Sequence, residues 1–145
     1  NGGTYNYLHC TFTNYPSIFP RYHSSYSFLD HTEDSKDKNV LHLEILNSIL
    51  WGPRGENISI KTMNSSSTVR VRYSLLRDYP SSLHHKTNLT SEETAFPQFS
   101  DVENHDYTLD LDSPLRDRAE KTDLSMDLDG NIRGDFPDIG AYEGL

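Results

Sequence analysis

Arg70, Arg72, Tyr73 and Arg77 lie close together in the chain. In an extended segment Arg70 and Arg72 point to the same side. Two guanidiniums on one face can grip the carboxylates of an acidic polysaccharide, or neutralise a uronate while a base removes its C5 proton. The same spacing describes an ordinary solvated strand face, so it defines a binding candidate and no catalytic set. Aromatic faces stack on sugar rings, and Tyr22 and Tyr26 are the aromatic residues placed to do so. They belong to a dense group with Tyr5, Tyr7, Phe12, Tyr15, Phe19 and Phe28, some of which must form core. Tyr22, Tyr26, Arg70, Arg72 and Tyr73 are therefore the expected ligand-binding residues.

Other clusters are read more plainly. Counted from Asp127, the residues Asp129, Asn131, Arg133, Asp135 and Asp138 fall at calcium-loop offsets. However, Gly130 stands too early for the sharp-turn glycine, Ile132 takes its place, and no flanking helices are expected. The segment reads as a turn in which Asp and Asn side chains bond nearby amides. No metal or cofactor is expected, with calcium at Asp127, Asp129 and Asn131 as the alternative. Glycoside hydrolysis needs two carboxyls about 5 to 9 Å apart around a sugar; Asp106, Asp110 and Asp112 offer only closeness along an acidic segment, read as a solvated edge. His84 and His85 are adjacent, so on an extended chain they point opposite ways and do not form a zinc pair. Cys10 is the single cysteine, which excludes an intrachain disulfide and reads as a small buried side chain. Asn57, Asn64 and Asn88 match the N-glycosylation acceptor pattern and are read as polar loop residues.

Composition narrows the partners. A net charge of -9 lacks the basic footprint that nucleic-acid phosphates or anionic membranes require. No apolar run approaches the roughly 20 residues of a membrane-spanning helix. The hydrophobic content of 34% is low, yet 11% aromatic residues argue for a narrow packed core with much polar surface. Asn1, Gly2 and Gly3 lead almost directly into a strand, as expected of a piece of a longer precursor.

The elements that must position these residues repeat. Tyr7 to Phe12, Ile45 to Leu50 and Val71 to Leu76 share one pattern, aligned on Cys10, Ser48 and Ser74 and again on Phe12, Leu50 and Leu76. Each reads as a strand, as do Ile58 to Lys61 and Val69 to Tyr73 with their alternating apolar residues. No segment keeps a helical period. Repeats of this length that cannot bury their inner residues alone stack into a solenoid. The polar stretch from His31 to Asn39 reads as a solvated excursion, and Leu89 as a further short strand. The expected organisation is one all-β domain, with stacked coils and polar insertions over 1–94 and a capping segment over 95–145. An open strand edge at its start would take upstream coils of the same precursor, or a second copy edge to edge.

Asp127-Leu-Asp-Gly-Asn-Ile-Arg133 and Pro137-Asp-Ile-Gly-Ala-Tyr-Glu143 resemble the closing signature of bacterial right-handed parallel β-helix surface proteins, in particular those of Bacteroidetes. The preceding blocks Phe96-Pro-Gln-Phe99, Asp106-Tyr-Thr-Leu109 and Ser113-Pro114 follow in the family's order. Asn47 to Gly52 and His9 to Phe12 resemble its coil segments, whereas Leu115 to Ala119, with Arg116 and Arg118, departs from its small apolar run. The resemblance implies a pectin-lyase-like, right-handed parallel β-helix of about three coils, secreted or at the outer surface. It implies a non-catalytic terminal module that binds polysaccharide or surface proteins; the alternative is the end of a polysaccharide lyase or hydrolase whose active site lies mostly upstream.

Overall fold

A computed structural model describes residues 2–15, 26–32, 39–52, 58–83, 85–90 and 96–144. The clearest period-two segment is β4 (Leu41–Leu46), in which buried Leu41, Leu43 and Ile45 alternate with His42, Glu44 and Leu46. It lies between β1 (Gly3–Leu8) and β7 (Thr68–Arg72) in a parallel sheet. A second parallel sheet runs β2 (Thr11–Thr13), β5 (Ile49–Trp51), β8 (Leu75–Leu76) and β9 (Leu89–Thr90). A third pairs β3 (Tyr26–Leu29) with β6 (Ile58–Lys61), also in parallel. From β1 to β8 the chain thus visits the sheets in one order and returns to lie beside its own previous pass, and β9 then adds directly to β8 in the second sheet. After one 3₁₀ turn at Ser81–Leu83, β10 (Phe99–Asp101) and β11 (Asp106–Leu109) form an antiparallel hairpin. The protein is all-β and built mainly from parallel sheets. Among the described residues no helix is long and apolar enough to cross a membrane.

The alignments expected from sequence are those of the structure. Phe12 pairs with Leu50 and Leu50 with Leu76, while the Cys10 amide donates to Ser48 Oγ and the Ser48 amide to Ser74 Oγ. The three repeat segments differ from expectation in one respect: none is a single strand. His9, Asn47 and Tyr73 have φ of 49°, 55° and 48°, a left-handed conformation that ends the first-sheet strand and turns the chain into the second sheet. That turn resets the alternation, so Ser74, which an unbroken strand would put on the solvated face with Arg70 and Arg72, is buried.

A left-handed non-glycine residue costs on the order of 1–3 kcal/mol, and the column of small residues beside it offsets that cost. Cys10 N–H donates to Ser48 Oγ (3.0 Å), Ser48 N–H to Ser74 Oγ (3.1 Å) and Ser74 N–H to Asn88 Oδ1 (3.2 Å). The two hydroxyls donate back to Leu46 and Arg72 carbonyls at 2.8 Å. The amides of Cys10, Ser48 and Ser74 are thereby each partnered by the pass that follows, and the two serine hydroxyls by a carbonyl of their own pass. Asn88, one of the glycosylation-pattern residues, closes the column with its side-chain amide on the Val71 and Leu83 carbonyls, so it is a structural residue.

Two apolar layers result. Leu41, Leu43, Ile45, Leu50, Val71 and Leu76 fill the space between the sheets, with Tyr7, Phe12, Tyr26 and Phe28 packed against them. Ile49, Trp51 and Leu75 face outward from the second sheet and meet Leu109, Leu115 and Ile139 of the C-terminal segment. β5 is consequently buried on both faces, which is why its residues are apolar without alternation. Gly140, at φ +113°, lies where a Cβ would come within 2.8 Å of Ile49 Cδ1 and Thr11 Oγ1; only glycine lets the segment approach so closely.

Asp30 fastens another corner. Its wholly buried carboxylate accepts from the Met63 and Asn64 amides and Ser67 Oγ, all at 2.9 Å, and bonds His31 Nδ1 at 2.8 Å. Burial works to raise its pKa, but these donors outweigh it and hold the carboxyl below the usual carboxylate range. A depressed pKa contributes stability that is full above the unfolded value and is lost as pH falls toward the folded one. Asp30→Asn is therefore expected to lower the melting temperature at pH 7, with the deficit shrinking as pH falls below about 4. Thermal melts of both proteins from pH 7 to pH 3 measure it.

Candidate functional site

On the outer face of the first sheet the parallel register builds rows. Thr4, His42 and Thr68 form one, Asn6, Glu44 and Arg70 the next, and Leu8, Leu46 and Arg72 the third. Arg70 and Arg72 therefore do share one face, as their spacing indicated. With Ser82, Leu83 and His85 they line a concavity of about 320 Å³ between β7 and the 3₁₀ turn. Arg72 lies 3.5 Å from Glu44, each side chain about two-fifths exposed; such a surface pair is worth at most about 1 kcal/mol and leaves the guanidinium available. Arg70 is exposed and has no ion-pair partner among the described residues.

Tyr73 does not join this face. Its left-handed backbone carries it round the corner, where it lines a second concavity of about 340 Å³ with Lys86, Thr87, Asp117 and Arg118. The 85–88 turn separates the two hollows, and its His85 bonds Thr87 Oγ1 at 2.7 Å. A strip of cations, Arg70, Arg72, Lys86 and Arg118, thus runs past one turn of a chain whose net charge is -9. Arg77 belongs elsewhere: its guanidinium lies 4.8 Å over the Trp51 ring and donates to the Gly52 carbonyl. Tyr26 sits on β3, its ring 5.8 Å from Phe12 and packed on the inner core. Tyr22, Phe19 and His84 lie outside the described residues.

The C-terminal segment is locked beside this face by groups the sequence did not single out. Asn47 Nδ2 lies 2.9 Å from His9 Nε2 and donates to the Glu120 carbonyl at 2.7 Å; Oδ1 accepts the Glu120 amide at 2.9 Å. The Asn47 carbonyl accepts from Gly140 N. Since His9 Nε2 accepts from an amide, the imidazole proton sits on Nδ1, which is buried and has no hydrogen-bond partner among the described residues. Burial, then the charge of Arg133, pushes the His9 pKa down to about 4. Arg133 itself is buried, donating to Glu143 Oε2 at 2.9 Å and to the Gly140 and Asp138 carbonyls. Asp138 accepts the Asp117 and Gly144 amides.

At the acidic turn, burial works to raise the pKa of Asp127, but its donors outweigh it and hold the carboxyl below its usual range. Oδ1 accepts the Asp129 and Asn131 amides; Oδ2 accepts Asn131 Nδ2 and the Glu143 amide. The Asp127, Asp129, Asn131 group thus forms a turn whose leading carboxylate is engaged by N–H donors. Among the described residues no three His, Cys, Asp or Glu side chains are grouped to hold a metal ion. β11 ends at Leu109, so Asp110 and Asp112 lie in the following turn and not side by side on a strand. Cys10, expected to be buried, is half-buried because it occupies the outermost pass of the corner column.

No protein-family model, curated protein or solved structure matches this chain. What the site defines is a parallel-sheet scaffold with Arg70 and Arg72 in one hollow on its outer face and Lys86 and Arg118 in a second hollow round the corner. Guanidinium groups at fixed strand positions, as Arg70 and Arg72 are on β7, suit oxyanions.

Asn47→Ala removes the side-chain bonds to His9 and Glu120 and leaves buried partners unmet. It is expected to destabilise the protein by about 2–4 kcal/mol, read from urea denaturation, and to expose the C-terminal segment to limited proteolysis. His9 has a depressed pKa, so its contribution is full above about pH 6.5 and is lost as pH falls through 4. Stability is expected to drop by about 2 kcal/mol across that window; His9→Gln, which cannot titrate there, should flatten that part of the pH profile.

Proposed function

We propose that this chain is a terminal module of a right-handed parallel β-helix protein acting outside the cell, and that it binds acidic polysaccharide without cleaving it. The ordered return of the chain through three sheets supports the β-helix reading. So does the closing signature identified in the sequence, whose Asp127, Arg133, Asp138, Gly140 and Glu143 make the contacts that seat the C-terminal segment. One observation carries the binding reading: Arg70 and Arg72 share a concavity on a strongly acidic protein, Arg70 without a carboxylate partner among the described residues. Strand rows repeat about every 4.8 Å, and Lys86 and Arg118 extend the charge into the next hollow. A linear polyanion lying across the 85–88 turn meets a cation in both.

Titration calorimetry with oligogalacturonate, and with a neutral glucan of equal length, tests this. The expected result is binding of the acidic oligomer alone, weakening with added salt. Arg70→Ala combined with Arg72→Ala should weaken it at least about tenfold, since a tenfold loss corresponds to only about 1.4 kcal/mol. Equal binding of both glycans, or none, contradicts the proposal. Appearance of unsaturated product during incubation would show a lyase instead.

A further inference from the structure

The corner column has a direction. Within it, each pass donates an amide to the small side chain of the pass that follows: Cys10 to Ser48, Ser48 to Ser74, Ser74 to Asn88. Cys10 Sγ lies 3.5 Å from the Leu8 carbonyl, in the same relation that Ser48 and Ser74 Oγ have to Leu46 and Arg72. It therefore stands where the other two small residues each receive an amide, and among the described residues no such amide reaches it. Among the described residues β1, β2 and β3 each have a strand neighbour on one side only.

Beside this open edge the C-terminal segment overshoots. Ala141 N–H donates to Thr11 Oγ1 and Leu128 N–H to the Ala141 carbonyl, so the segment reaches the first pass and continues. Leu124, Met126 and Leu128 remain largely exposed there. With Phe12 and Cys10 they wall an apolar groove of about 440 Å³. His9 and Arg133 also line it, and among the described residues His9 Nδ1 and Arg133 Nε are buried donors without an acceptor. The lower passes show what such a groove takes: Ile49 and Leu75 project from the equivalent positions and are covered by the same C-terminal segment.

From the column and the groove together we infer that this edge accepts a peptide segment of the chain's own repeat chemistry. The segment docks in parallel on β1 and β2, donates its corner amide to Cys10 Sγ, and buries an apolar side chain under Leu124, Met126 and Leu128. The direction of the column selects this occupant over a second copy of the chain. Two copies meeting edge to edge would bring two acceptors together with no amide between them, and the far end of the column is closed by Asn88. The groove is continuous with the pass-on-pass interface already present between β1 and β4 and between β2 and β5. Because docking lies at the opposite edge from Arg70 and Arg72, it stands or falls separately from glycan binding, though it rests on the stacked-pass reading of the fold.

The probe is a fluorescein-labelled peptide spanning residues 41–51 of this sequence, added to the intact chain and followed by anisotropy. It carries the Asn-Ser corner and the following apolar residues. Saturable binding is expected, weakened at least tenfold when the peptide's serine amide is N-methylated, and similarly by Leu128→Lys in the protein. Leu128 is exposed, so that variant keeps its fold, checked by an unchanged melting temperature. Absence of binding, or equal binding of the N-methylated peptide, overturns the inference. Concentration-dependent dimers in sedimentation velocity that Leu128→Lys abolishes would also overturn it, in favour of a second copy.

Discussion

The buried corner between the first and second sheets is the constraint on which the rest depends. A chain that turns through left-handed residues at His9, Asn47 and Tyr73 incurs backbone strain each time and buries polar groups with it. The structure holds because each turn is followed by a small residue whose amide is satisfied by the pass that follows, and the Ser48 and Ser74 hydroxyls accept the amide of the pass before. Unmet, each such group would cost about 1–3 kcal/mol. Stacking is therefore obligatory, and in-register stacking places Arg70 beside Glu44 and Arg72 beside Leu46 on the outer face.

Asn47 joins this column to the second structural device. Its backbone carbonyl accepts Gly140 N–H, and its side chain spans His9 above and Glu120 in the C-terminal segment. That segment covers Ile49, Trp51 and Leu75, apolar side chains that would otherwise face water. Arg133 is the segment's own centre. Taking a guanidinium out of water is costly unless it is paired and hydrogen-bonded, and Glu143 with the Gly140 and Asp138 carbonyls supplies that pairing. The residues at Asp127, Arg133, Asp138, Gly140 and Glu143 form one connected network, so loss of any one leaves a buried partner unmet.

Much of the scaffold was legible in the sequence because stacked strands repeat side-chain character at the same place in each pass. Cys10, Ser48 and Ser74 align by size, and Phe12, Leu50 and Leu76 by apolarity; both alignments are the structural ones. The break inside each segment was not legible. A single left-handed residue leaves the period-two pattern nearly intact on either side. The same break separates Tyr73 from Arg70 and Arg72, which strand spacing alone had grouped. Asp30 left no pattern at all, since its partners Met63, Asn64 and Ser67 lie far along the chain. The pairing of Arg70 and Arg72 was readable, whereas His85, Lys86 and Arg118 join them only through the return of the chain after β8.

The central claim is that a rigid corner column holds an oxyanion-binding strip at β7 and the 85–88 turn. Amide-resolved nuclear magnetic resonance during titration with oligogalacturonate tests it most directly. The account predicts progressive shifts confined to Thr68–Arg72 and to residues 82–87, with the amides of Cys10, Asn47 and Ser48 unmoved. Shifts that leave β7 unchanged, or that map instead to the exposed apolar residues between Leu124 and Phe136, would contradict it.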